Sequence, residues 1–251
     1  MDTAHLALVG AAAAAGGAVN AIAGGGSLLT FPALLACGVP AVVASATNTV
    51  AMCPGYLGAT WAQRAELAGQ GGRIAKLVPI SAAGGAAGAL LLLHTNARTF
   101  DVVVPFLLLV AVVLLGFQDR IRARLHAVAN STGLAALISG LAAIYGGYFG
   151  AGLGVIILAA LAIVLPDSLT RLNALKQLIS LAVNVTAALV FLAIGDLDRE
   201  TLVIMAGASL VGGVVGGAIA SRVSAKVLRA CVVAIGGAVA LVYFVRLFRQ
   251  F

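Results

Sequence analysis

The chain is a succession of long apolar runs joined by short charged loops, and none of its eight acidic residues lies deep inside a long run. The long runs cover about residues 4–23, 41–63, 74–93, 102–118, 128–145, 169–194, 202–221 and 227–247. A membrane-crossing helix needs about 20 apolar residues, within a range of about 17–25, and these runs meet that length. Of the 251 residues, 62% are hydrophobic and 9% are charged. Soluble domains run at about 45–50% apolar and about 25% charged, so a soluble fold has no means of hiding this much apolar surface. Lipid removes the problem by solvating the apolar faces. The runs therefore predict an all-α polytopic membrane protein. The 31 glycines agree, because small residues let helix backbones approach where no hydrophobic drive operates between helices. The start, Met1-Asp2-Thr3, has no positive n-region, so the first run is expected to stay as structure.

Several functions drop out. The net charge is +7, but the basic residues sit in short clusters between apolar segments without interleaved aromatics. That is topology-setting charge, so nucleic acid is not expected as a partner. Cys37, Cys53 and Cys231 are far apart, inside apolar segments, and form no CxxC or Cys/His spacing. His5, His94 and His126 lie near segment ends. There is no HExxH, no GxSxG and no Walker loop, so neither an enzymatic step nor a cofactor is expected. With every carboxylate at a segment end or in a loop, a proton relay through buried acids is not expected either.

The chain repeats itself. Pro40 matches Pro166 at an offset of 126, and the GGxxG of Gly84 to Gly88 recurs at Gly212 to Gly216 at an offset of 128. Ala46-Thr47-Asn48 aligns with Arg171-Leu172-Asn173 at an offset of 125. Each half reads helix, glycine break, short helix, proline, polar-bearing helix, GGxxG helix, plain apolar helix. The halves are 1–126 and 127–251. Loop charge orients them: Arg64, Arg73 and Lys76, then Arg120, Arg122 and Arg124, then Arg222, Lys226 and Arg229 mark three cytoplasmic loops. Asp196, Asp198 and Glu200 mark an outer loop. Matching loops thus face opposite sides, which predicts an inverted repeat with both termini outside. Each half would hold a glycine-broken hairpin that enters and returns on one side. Arg246 and Arg249 at the C-terminus run against that placement.

The breaks are the candidate site. Gly24-Gly25-Gly26 precedes a short apolar piece from Ser27, and Gly152, Leu153 and Gly154 stand similarly in the second half. Backbone exposed at membrane depth is tolerated only against protein or a water-filled cavity. The N–H groups near Ser27 and Leu28 would form an anion-attracting helix end. Two such ends at a repeat interface build a midplane site in many transporters. Polar residues add to it: Thr47, Asn48 and Thr49 in the first half, Asn173, Lys176 and Asn184 in the second. Asn48 and Asn173 could each donate two hydrogen bonds to an anion. Lys176 either serves the site or snorkels to the cytoplasmic interface. The Asn residues and the GGxxG glycines have a plainer use, helix–helix packing.

The stretch from Gly24 to Leu35, with Gly38-Val39-Pro40 and Ala46-Thr47-Asn48, resembles the TauE/SafE family, also called TSUP, of sulfite and sulfonate permeases. The segment Gly150 to Leu161, with Asn173 to Lys176, is similar to that family's second repeat, and the likeness covers nearly the whole chain. The second half departs in having Gly150-Ala151-Gly152-Leu153-Gly154 and Leu158 where a fuller glycine run and a proline are expected. The resemblance implies a prokaryotic inner-membrane carrier of sulfite, sulfonates such as sulfoacetate, thiosulfate or related organic anions. An anion channel and a non-transporting scaffold subunit remain the alternatives. The expected partners are a small anion, the lipid bilayer and a coupling cation, H+ or Na+, while the oligomeric state is left open.

Overall fold

The computed structural model describes residues 2–117, 120, 131–194, 197–219, 222 and 224–248. Among them the secondary structure is helical throughout. The elements are α1 (Thr3–Ile22), α2 (Ser27–Ala36), α3 (Ala41–Ala62), a 3-10 turn (Arg64–Leu67), α4 (Gly71–His94) and α5 (Ala97–Gly116). They continue with α6 (Thr132–Tyr148), α7 (Leu153–Val164), α8 (Leu169–Ile194), α9 (Arg199–Ile219) and α10 (Ala225–Phe248). The Arg122–Arg124 cluster, His126, Asp196, Arg249 and the 126/127 boundary lie outside the described residues.

Six of these helices, α1, α4, α5, α8, α9 and α10, are long and apolar enough to cross a membrane. Helix α3 is expected among them but is not, because Ser45, Thr47, Asn48 and Thr49 lower its apolarity. It is instead buried along most of its length. The second break is also shorter than the glycine content suggests: α6 runs on through Gly146 and Gly147 to Tyr148.

The two broken helices end in the same way. The Val19 carbonyl accepts the N–H groups of Ala23 (2.7 Å) and Gly24 (2.9 Å), and Gly24 sits at φ +83°. The Tyr145 carbonyl accepts those of Phe149 (2.9 Å) and Gly150 (3.3 Å), and Gly150 sits at φ +77°. This is glycine in the left-handed conformation closing a helix with a six-to-one bond.

Packing is reciprocal. Helix α4 lies against α6 and α8, and α9 lies against α1 and α3. The GGxxG glycines make these contacts possible. A side chain at Gly84 or Gly88 would collide with the Gly140 or Ile144 carbonyl of α6. One at Gly212 or Gly216 would collide with the Ala14 carbonyl or the Ala18 backbone of α1. Gly85 abuts the Val183 carbonyl of α8, and Gly213 abuts the Gly55 carbonyl of α3. These glycines serve close backbone packing. The matched contacts also fix the register: 14 with 140 and 18 with 144 differ by 126, whereas 55 with 183 and 84 with 212 differ by 128. By that register Asn48 of α3 corresponds to Lys176 of α8, and Ser45 to Asn173 (176 − 48 and 173 − 45, both 128). The 125 alignment of Asn48 with Asn173 does not match this packing. The longer α7, 12 residues against 10 in α2, accounts for the change of offset.

Candidate functional site

The two breaks meet. A Cβ added to Gly154 would lie 2.9 Å from the Gly24 Cα, so the two backbones cross in direct contact. Gly25 faces Leu115 of α5, Gly26 is pressed against the Gly16 carbonyl, and Gly152, at φ +76°, faces Ala111. Ser27 is buried at the start of α2.

The N–H groups expected to be free at these helix starts are largely engaged. Leu28 donates to Gly25 O (3.0 Å), Leu153 to Gly150 O (3.1 Å) and Val155 to Gly152 O (2.9 Å). The Gly26 N–H donates to the Asn20 Oδ1 at 2.7 Å. Tight turns, with the Asn20 side chain, thus satisfy these donors locally.

The polar chemistry gathers instead at the carbonyl end of α1. A helix leaves its last four carbonyls without partners inside it. Four side chains of α8, Asn173, Lys176, Gln177 and Ser180, share one face at i, i+3, i+4 and i+7. Lys176 Nζ donates to Asn20 O at 3.1 Å. Gln177 Nε2 donates to Asn20 O and Ala21 O, both at 3.0 Å. Asn173 Nδ2 donates to Ala21 O at 3.2 Å and to Gln63 Oε1 at 2.7 Å. Lys176 is 0% exposed, so it does not snorkel. Its charge is offset by the negative end of the α1 dipole. Four polar atoms in this neighbourhood are buried and have no hydrogen-bond partner among the described residues: Asn20 Nδ2, Asn173 Oδ1, Gln177 Oε1 and Ser180 Oγ.

The other expected residues lie apart from this cluster. Asn48 accepts a short hydrogen bond from Thr30 Oγ1, which ties α3 to α2. Thr49 turns back on its own helix to Ser45 O (3.0 Å), and Asn184 does the same to Ser180 O (2.8 Å). Thr47 is buried in α3. Asn184 is eight residues beyond Lys176, about 12 Å along the helix. Asn20, Gln63, Gln177 and Ser180 join the site without having been expected there. The signal for Asn20 was an amide four residues before a glycine run, in a helix otherwise built from small apolar residues.

A cavity of about 460 Å³ reaches the cluster, lined by Ile22, Gln63, Glu66, Thr170 and Asn173 among others. Just before its lining residues Leu169 and Thr170 in the chain, Asp167 pairs with Arg73 (2.5 Å) and Arg171 (3.1 Å). Burial pushes the Asp167 carboxyl up, but hydrogen bonds from Arg73, the Ser168 N–H and Arg171 outweigh it and hold the group below its ordinary value. Toward the end at which α5 begins, aromatic rings close the crossing. Phe149 packs edge-on against Phe31 (5.1 Å between ring centres) and Phe100 (6.2 Å), and Phe100 packs against Tyr148 (5.6 Å). Phe31, Phe100 and Phe149 are at most 1% exposed.

A family model described as sulfite exporter TauE/SafE matches residues 8–243. The chain is 30% identical over 216 residues to the probable membrane transporter protein YfcA of Escherichia coli K12, covering 82% of this chain and 76% of that one. It is 29% identical over 204 residues to a probable membrane transporter protein of Haemophilus influenzae, covering 79% and 78%. A third relative, the probable membrane transporter protein ORF9 of a Sinorhizobium species, is 26% identical over 246 residues, covering 94% and 91%. No solved structure matches the chain.

Proposed function

The chain belongs to the TauE/SafE family of multi-pass bacterial inner-membrane transporters, and from that premise we propose that it carries a small, sulfur-containing anion such as sulfite, thiosulfate or a sulfonate. The observation that carries this reading is Lys176, fully buried against the carbonyl end of the broken helix α1. A lysine at membrane depth costs about 2.5–3.5 kcal/mol on insertion scales, and such residues usually mark a pathway. An anion leaving water needs a cationic group to offset its desolvation. Lys176 supplies the charge. The unpartnered Asn20 Nδ2 supplies a donor close to it. Transport by this route requires no chemical reaction of the cargo.

The halves 1–126 and 127–251 work as an inverted repeat, with the substrate between them. The reciprocal packing of α4 and α9 supports this. So do the faces on which the hairpins open. The first hairpin opens where Cys37 Sγ reaches His5 O (4.0 Å), with Pro40, Ala97 and Tyr243 around one small cavity. The second opens where Arg73 meets Asp167. Fully buried aromatic rings packed at the crossing favour a carrier over a channel, which would need a path open at both ends. A scaffold subunit has no use for a buried lysine at the end of a broken helix.

Thermal unfolding of purified protein with sulfite, thiosulfate, sulfoacetate and taurine tests the substrate class. Stabilisation by at least one of the anions, lost in Lys176→Met and partly kept in Lys176→Arg, is expected. Identical curves with all four compounds would count against it. So would equal proteoliposome flux of a stabilising anion in Met, Arg and wild type.

A further inference from the structure

We propose that the Lys176 ammonium stands in for a coupling cation: the carbonyl end of α1 and the facing surface of α8 form a sodium-sized cation site that this chain fills with its own side chain. The transport cycle then proceeds without sodium.

The argument starts from the broken helix. A half-helix that ends inside a membrane presents carbonyl oxygens and a negative dipole end, and in transporters built from broken helices such ends coordinate cations. Here α1 ends at Ile22, and Asn20 O points at Lys176 Nζ, 3.1 Å away. An ammonium is a compact point charge with three donors, so it is the side-chain group closest to a bound monovalent cation. The surface around it is rich in oxygen. Asn173 Oδ1, Gln177 Oε1 and Ser180 Oγ are buried, lie on the Lys176 face of α8, and receive no hydrogen bond among the described residues. Buried oxygens without donors raise the local negative potential, which a positive charge relieves. The Asn20 carbonyl that accepts from the ammonium is a neutral oxygen, as are the three unpartnered atoms on this face, and neutral oxygen also suits sodium.

The register of the two halves sharpens this. The residue matching Lys176 in the first half is Asn48, which holds Thr30 by a hydrogen bond. The built-in charge is thus present at one of the two related positions.

The inference deepens the transport reading but is tested without cargo, so that the two can fail separately. Purified protein in detergent is unfolded thermally at constant ionic strength with NaCl, methylammonium chloride or choline chloride. Wild type is expected to give one transition temperature in all three, because the site is already filled. In Lys176→Ala, sodium and methylammonium are expected to raise that temperature saturably over choline. If Lys176→Ala does not fold, Lys176→Gln carries the same expectation, since it keeps the volume and offers an amide oxygen to the ion. Saturable stabilisation of wild type by sodium overturns the proposal, and this arm needs no variant. A folded Lys176 variant indifferent to both small cations overturns it as well. Neither result depends on which anion, if any, the protein carries.

Discussion

A Cβ placed on Gly24 would lie 3.0 Å from the carbonyl carbon of Gly154, and one placed on Gly154 would lie 2.9 Å from the Gly24 Cα. The halves therefore cross at two glycines, and neither position has room for a side chain. Gly24 is further restricted by its φ of +83°.

Three alanine substitutions separate these two constraints. Gly38 has a similar φ of +81° but nothing within 4 Å of its added Cβ. Gly38→Ala should cost only the left-handed strain, about 1–2 kcal/mol. Gly154→Ala meets the steric clash alone, and Gly24→Ala meets both. The expected order of folded yield is Gly38→Ala, then Gly154→Ala, then Gly24→Ala. Size-exclusion profiles and melting temperatures in detergent read it directly. Equal melting temperatures for Gly24→Ala and Gly38→Ala would mean that the crossing is looser than its geometry.

Much of this arrangement was legible in the sequence. The apolar runs, the two breaks and the GGxxG motifs mark the helices, their interruptions and their closest contacts. Periodicity could not fix the register of α8 against α3. Two additional residues in α7 shift it, and a match of three small or polar residues is too short to detect that. Nor could spacing tell which polar atoms meet. Asn20 and Gln177 are 157 positions apart and come together only because α1 stops at Ile22. Asn48 looked like a ligand because it is an amide in an apolar helix, yet its Oδ1 is engaged with Thr30.

That difference predicts unequal effects of Asn48→Ala and Asn173→Ala. Asn173 lines the cavity, and its Nδ2, which rests on Ala21 O and Gln63 Oε1, is the donor it would turn to an anion, so its loss should weaken anion uptake with nearly normal folded yield. A hydrogen bond to a charged group is worth about 1.5–3 kcal/mol, or roughly 10- to 150-fold in affinity. Asn48→Ala removes the Thr30 link, and the Thr30 hydroxyl keeps only Gly26 O at 3.4 Å. Its effect should therefore fall on stability first. In a double-mutant cycle, Thr30→Val should add little to Asn48→Ala. Full additivity of the two would show that they do not act together.

The ionic link of Asp167 with Arg73 and Arg171 has a pH signature. The Asp167 carboxyl titrates below its ordinary value in the folded state. Its stabilising contribution is thus fully present above the ordinary carboxylate range. It is lost as pH falls through the lowered folded value. Asp167→Asn should melt below wild type at pH 7, and the two curves should converge as the pH drops below about 4. The difference at pH 7 should be modest, about 1 kcal/mol or less, because the pair is only partly buried. A gap between the curves that persists unchanged at acid pH would assign the loss to packing instead of charge.

Sidedness can be tested on two exposed helix starts. Asp198 precedes α9 and Gly71 begins α4, and both are open to solvent. The loop around Gly71 carries Arg64, Arg73 and Lys76, whereas the one around Asp198 carries Asp198 and Glu200 with Arg199. Positive loops stay in the cytoplasm, so Asp198 should face the periplasm. Arg64 also lies 4.4 Å over the Trp61 ring, the pairing of an aromatic and a cation found at membrane interfaces. Single cysteines are placed at the two positions after the three native ones are removed, since Cys231 is exposed and would report as well. Asp198 accepts hydrogen bonds from Thr201 and the Glu200 N–H, so its replacement weakens a helix cap, but the start of α9 lies outside the packed crossing. A membrane-impermeant maleimide added to whole cells with a permeabilised outer membrane should modify Asp198→Cys and spare Gly71→Cys. Opening the inner membrane should then expose Gly71→Cys to the reagent. The opposite labelling pattern would reverse the orientation and put the 460 Å³ cavity on the periplasmic side. Labelling of both positions in intact cells would refute an inverted arrangement altogether, because the matched loops would then share one face.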